Sequence, residues 1–330
     1  MAGDIAFAIV AIIFGVVASY GLYWLLSFLV NLLPTRISQK VQVWAFLTPA
    51  LVLLIAVSIA PLIQTAVWSF MKIKGKTEEW VGIANYAELF TDEKFLGILL
   101  NNFLWVLFVP AVTVAFGTLV AQLGNNVGPR REKIFKSLIF MPMSISFVAA
   151  ATIWSYLYAY SAPGRPVIGL AQKIIEGFGV TEPVPIMQID GLRFNSFLLM
   201  AVIVWLQVGY SMVIISAAIK AVPEETLEAA RIDGANSLQL FMRVILPQVW
   251  GSVMAVFVTV VIMVMKIFDI VLAMTRGNFN TSVLAFEWYK RYFENSDIGS
   301  ASAVVMVLVV LIIPLVWLQI RTVRQQETLR

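Results

Sequence analysis

Any chemistry in this chain must be done without histidine or cysteine, because the sequence contains neither. Their absence removes disulfides, thiolate and imidazole metal sites, and the commonest proton relay and catalytic base. No nucleophile paired with a base is evident, and no residue set calls for a metal or another cofactor. The remaining polar residues form a few patterns. Gln207, Tyr210 and Ser211 stand at i, i+3 and i+4 of an apolar run beside Trp205, so a helix places the amide and hydroxyls on one face near an aromatic ring. Such a face suits a sugar, which offers hydroxyls and apolar ring faces, and equally suits hydrogen-bond glue between helices. Ser252, Thr259 and Lys266 recur every seven residues as a second stripe, for which packing and a polar path are both open readings. Lys266 and Asp269, at i and i+3, can form a structural ion pair or serve a ligand or gate. The triplet Gly75 to Thr77 lacks the Gly five residues earlier that a phosphate-binding loop needs, since Phe70 stands there.

The elements that carry these residues follow from composition. Sixty per cent of the residues are apolar and 13% charged, and the mean hydropathy is +0.89, more apolar surface than a soluble chain of 330 residues can bury. Seven charge-free runs, 5–30, 44–70, 101–123, 137–162, 194–219, 244–265 and 298–320, each have at least 22 residues. At about 1.5 Å per residue each crosses about 30 Å of hydrocarbon as a helix. The fold expected is an all-α membrane protein, a bundle of about seven transmembrane helices, because helices satisfy their own backbone in lipid. The first run has no basic residue before it and is too long for a signal-peptide core, so it reads as a retained helix. Arg36 and Lys40 after it, and Arg130, Arg131, Lys133 and Lys136 in a later short loop, place the N-terminus outside and the C-terminus in the cytoplasm. The long outer loops, 71–100, 160–193 and 266–297, are expected to hold short helices. Pro49, Pro61, Pro110 and Pro142 lie within spans and are expected to kink them. The basic pI of about 9.2 belongs to the inner loops and gives no case for nucleic acid.

One inner segment is charged: "EETLEAARIDGANSLQLFMRVILP", residues 224–247. Pro223 suits a helix start, and Glu224, Glu225 and Glu228 place negative charge at its positive dipole end. Leu227, Ala230 and Ile232 form a partial apolar face, and Gly234 ends the helix. Asn236 with Gln239 reads as the capping box of a second short helix leading to Pro247. Physical reasoning leaves two uses open, a protein-docking elbow or a passive connector in the headgroup layer, although anionic lipid repels so acidic a helix.

The same residues carry a resemblance. Glu228-Ala229-Ala230, three residues, Gly234, nine residues, then Val244, Leu246 and Pro247 resemble the inner-loop signature of permease subunits of binding-protein-dependent ABC importers. "WVGIANYAELFTDEKFLGILLNNFLW" (80–105), "FMPMSISFVAAATIWSYLY" (140–158), "KIFDIVLAMT" (266–275) and "DIGSASA" (297–303) are similar to the carbohydrate branch, and most to the larger permease of maltose and α-glucoside importers. Two features depart from that pattern. "RGNFNTS" (276–282) stands where a Gly-rich ending is usual, and an extra N-terminal span precedes the six-helix core.

The resemblance implies residues 1–43 as the extra helix and first inner loop, 44–321 as the core with a coupling loop at 220–246, and 322–330 as a cytoplasmic tail. It implies that Glu224, Glu228, Ala229, Ala230, Asp233 and Gly234 couple to a cytoplasmic ATPase subunit, Glu228 pairing with a basic residue there. Trp205, Gln207, Tyr210, Ser211, Thr259, Lys266 and Asp269 become candidates for the substrate path. The partners implied are a second homologous permease, two ATPase subunits and an extracytoplasmic sugar-binding protein, with lipid around the bundle. The cargo implied is an oligosaccharide or α-glucoside such as maltose or trehalose, with glycerol phosphate or another polyol as the alternative. An anion site should gather several basic groups, and only Lys266 lies in the path. An ion-coupled secondary transporter should carry ionisable residues deep in its spans, and only Asp269, near one end, does so.

Overall fold

The computed structural model describes residues 2–32, 34–125, 127–180 and 182–328. Two compact units, 1–67 and 68–330, divide the chain. In the first, α1 (Ala2–Asn31) is followed by α2 (Thr35–Leu54), which runs through a π-helical turn, Ile55–Ile59, into α3 (Ala60–Trp68). The expected inner loop 31–43 is thus helical from Thr35, because no Gly or Pro interrupts the stretch between Pro34 and Pro49. Tyr23 of α1 stacks on Phe46 of α2 with ring centroids 6.2 Å apart. None of the residues in the most apolar stretches of these two spans is buried, as suits helices that turn apolar side chains to hydrocarbon.

The second unit opens with a hairpin, β1 (Met71–Lys74) and β2 (Thr77–Trp80), turning at Gly75 with φ +62°. The sequence reading expects only short helices in this loop, but a two-residue turn containing a Gly in the left-handed region favours paired strands. Then come α4 (Ala84–Thr91) and the long α5 (Glu93–Asn125). The fourth apolar run is not one straight helix. It is α6 (Pro129–Phe140), a 3-10 turn (Met141–Ser144) and α7 (Phe147–Leu157), bent by 100°. Pro142 cannot continue the hydrogen-bond ladder, Ile145 turns extended, and Ser146 restarts the helix by accepting from the Ala149 N–H at 3.3 Å. Pro110, by contrast, sits inside α5 without breaking it, and Pro61 follows a π-turn that absorbs its missing donor.

After α8 (Leu170–Gly177) the chain enters α9 (Phe194–Lys220), then α10 (Glu224–Ile232) and α11 (Ser237–Gln239). A π-turn, Leu240–Ile245, leads into α12 (Leu246–Met265), followed by α13 (Asp269–Met274), α14 (Leu284–Tyr289), a π-turn, Lys290–Glu294, and α15 (Ile298–Thr328). The expected tail therefore continues the last helix to Thr328, with 329–330 outside the described residues. Six helices are long and apolar enough to cross a membrane, and the bent pair makes a seventh span among the described residues. Burial ranks α9 as the central helix, with 56% of its most apolar stretch enclosed. Its Leu199, Ile203, Leu206, Met212 and Ile215 pack with Trp105 and Val109 of α5 and Val256 and Val260 of α12 in the main core.

Candidate functional site

The acidic segment forms the local structure that its spacing predicts. Pro223 is the N-cap of α10, and the helix closes with the Gly234 N–H on the Arg231 carbonyl and the Ala235 N–H on that of Ala230, both at 3.0 Å. This double closure needs a residue in the left-handed region, and Gly234 supplies it at φ +83°. Asn236 and Gln239 form the reciprocal capping box, with bonds of 2.9 and 3.0 Å. Nine residues are too few for a helix to stand alone in water, so these caps and the packing of Leu227 and Ala230 against the main core hold it. That packing corrects the expected faces. Ala230 turns inward with Leu227, whereas Ile232, expected on the same apolar face, points away and is 85% exposed. Glu224, Glu228, Ala229, Asp233 and Gly234 are exposed too. Among the described residues none of the acids of α10 forms an ion pair. The helix thus presents unpaired carboxylates and one bare isoleucine.

The path candidates do not converge. Ser211 is fully buried against Gly117 of α5, where its hydroxyl finds no partner among the described residues. It marks a close-packing point between α5 and α9. Gln207 lies on the same side, 9% exposed. Trp205 faces α7 instead, edge-on to Trp154 at 5.8 Å, and Tyr210 is half-buried. Thr259 spends its hydroxyl on the Ala255 carbonyl at 2.8 Å. Lys266 and Asp269 make no ion pair with each other, because α12 ends at Met265 and α13 begins only at Asp269, so their helical i, i+3 relation is lost.

The structure adds residues that the sequence reading missed. Ser155, Tyr158, Tyr160, Pro185, Met187 and Gln188, with Met274, line a cleft of about 190 Å³ at the end of the bundle opposite α10. That is room for about six waters, the size of a single sugar ring. Tyr158 is fixed by donating to the Leu198 carbonyl at 3.3 Å and by its tilted contact with Trp154 at 5.3 Å, so an aromatic chain, Tyr158–Trp154–Trp205, leads from the cleft toward α9. The run "WSYLYAY" (154–160) carried this signal, since Trp154 and Tyr158 stand at i and i+4 on one helical face. Beside the cleft, the loop that departs from the family pattern is pinned rather than slack. Asn101 donates to the Thr281 and Ser282 carbonyls at 3.0 and 2.8 Å, Asn195 to that of Phe279 at 2.7 Å, and Arg193 to that of Asn280 at 2.8 Å. Those bonds offset the left-handed φ of Arg276, Phe279 and Asn280, each worth about 1–2 kcal/mol.

With this geometry in hand, similarities to known proteins become informative. The family model for the binding-protein-dependent transport system inner membrane component matches residues 113–324. The alpha-glucoside transport system permease protein AglF of Rhizobium meliloti is 40% identical over 88% of this chain and 85% of its own. The osmoprotective compounds uptake permease protein GgtC of Synechocystis sp. is 41% identical over 86% of this chain and 100% of its own. A chain of a bacterial ABC transporter involved in the import of the acidic polysaccharide alginate shares the fold, with a TM-score of 0.74 at 17% identity over 88% of this chain and 99% of that one.

Proposed function

We propose that this chain, which belongs to the family of inner membrane components of binding-protein-dependent transport systems, is a permease subunit of an ATP-driven importer for a neutral sugar, with α10 as its coupling helix. The observation that carries this is the exposed, doubly capped α10 with unpaired Glu224, Glu228 and Asp233 around a bare Ile232. Exposed carboxylates beside an apolar side chain fit a basic, partly apolar cleft on a cytoplasmic ATPase subunit, where Glu228 pairs with a basic residue. The motor is borrowed, since this chain offers no phosphate-binding loop of its own. Two such subunits, a second homologous permease and an extracytoplasmic binding protein complete the assembly, with the N-terminus outside. Shifting a two-state bundle from 1:99 to 99:1 takes about 5.5 kcal/mol of differential binding, and removing one partner of a desolvated ion pair costs about 3–5 kcal/mol. A docked helix of this size can therefore bias alternating access.

The cargo enters at the cleft of Ser155, Tyr158, Tyr160 and Gln188 and moves along the Trp154–Trp205 pair, where rings face rings and neutral groups meet hydroxyls. The similarity to an α-glucoside permease supports a glycoside as cargo. A second reading, a small osmoprotective compound, is favoured by an equally close relative. The test is uptake by proteoliposomes holding the complete complex. Uptake of a labelled α-glucoside should require ATP within and binding protein outside, and persist when ion gradients are collapsed. Uptake that survives without ATP contradicts the importer, and displacement by an osmoprotectant but by no α-glucoside selects the second reading.

A further inference from the structure

At the α10 end of the second unit a single carboxylate ties helices together. Oε1 of Glu132, on α6, holds the Nζ of Lys136 one turn along the same helix and that of Lys220, the last residue of α9, each at 2.5 Å. Lys136 also donates to the Ser216 hydroxyl of α9 and, at 3.2 Å, to Asn125 Oδ1 of α5, to which Ser216 donates at 2.9 Å. The Glu132 and Lys136 side chains are only 14% and 19% exposed, so water screens this pair little, while Lys220 is 55% exposed. Lys220 is also the last helical residue before the short 221–223 link to α10.

A second contact fixes the same two helices at the bend. A Cβ on Gly209 would lie 2.5 Å from the Ile139 carbonyl oxygen and 2.7 Å from Phe140 Cα, so α9 touches α6 backbone to backbone just before the 100° break. Gly209 and Lys220 stand about 16 Å apart along α9. Two attachments at that separation stop α6 from pivoting on α9. The lower one depends on Glu132, because without its charge Lys136 and Lys220 face each other unneutralised.

We propose that Glu132 is a positioning residue that clamps α6 to the inner end of α9, so that displacement of α10 is carried to the broken span instead of being lost in local bending. This rests on the reading of α10 as a coupling helix. The measurement is ATP consumed per sugar imported by the reconstituted full complex. Glu132→Gln should raise that ratio about tenfold while the ATPase subunits still co-purify. Lys220→Met should raise it about two- to threefold, since Lys220 is the more exposed partner. The double variant should be no worse than Glu132→Gln alone, because both changes remove one contact. Glu132→Asp should restore most of the coupling. Unchanged stoichiometry in Glu132→Gln, or effects of the two single changes that multiply, would overturn the clamp. Should Glu132→Gln fail to assemble, Lys220→Met, which leaves the Glu132–Lys136 pair in place, decides: a wild-type ratio overturns the proposal. Wild-type uptake that ignores ATP overturns the importer reading and the clamp together, whereas a coupled wild type with an equally coupled Glu132→Gln removes the clamp alone.

Discussion

Single residues separate what is local from what is not. The Gly234 closure and the Asn236–Gln239 box were legible because each depends on groups at most five positions apart, and the structure shows both. The sharing of faces was only partly legible: Leu227 and Ala230 pack inward as their spacing predicts, but Ile232, placed with them, points away, and Ser211 sits against Gly117 because of neighbours far away in sequence. These placements set the residue-level expectations. Glu228→Lys should abolish coupled uptake while the protein remains inserted, as an exposed charge has no fold to support; membrane quantity and uptake, measured together, check it. Gly234→Ala has free space for its methyl and should cost only about 1 kcal/mol of helix closure, whereas Gly234→Trp should block docking outright. In the cleft, Tyr158→Ala or Gln188→Ala should raise the KM for sugar without changing ATP used per sugar. An unchanged KM in both would remove the cleft from the path.

The number and rough positions of the helices could be read at the level of elements, since runs of 22 or more apolar residues have few alternatives in lipid. Their interruptions could not. Pro110 is carried within α5 while Pro142 breaks its span, and the residues just after Pro142 make the difference: Ile145 is extended and Ser146 caps a new helix. Nor does one sequence reveal that α9 meets α6 at Gly209 with no room for a side chain. Gly209→Val should therefore drive the two helices apart and destabilise the bundle by more than about 2 kcal/mol, seen as a lower melting temperature in detergent. Gly3→Val or Gly21→Val, where an added Cβ meets no other part of the protein within 4 Å, should leave it unchanged apart from helix propensity.

For the whole molecule, the family was readable because its inner-loop signature is spelled out in local spacing between Glu228 and Pro247. The proposed substrate path was hard to read because its cleft and aromatic pair draw on α7, α9 and the 185–188 loop, which meet only in the fold. Orientation follows from the same account and is testable with unusual ease, since the chain has no native cysteine to mask a single introduced thiol. Lys76→Cys in the hairpin should react with an impermeant maleimide from outside intact cells. The central claim, that α10 is gripped by a separate ATPase, meets its most direct test in a photo-crosslinking amino acid at Ile232. The account predicts an ATP-modulated adduct with the ATPase subunit. Adducts with lipid alone would contradict it.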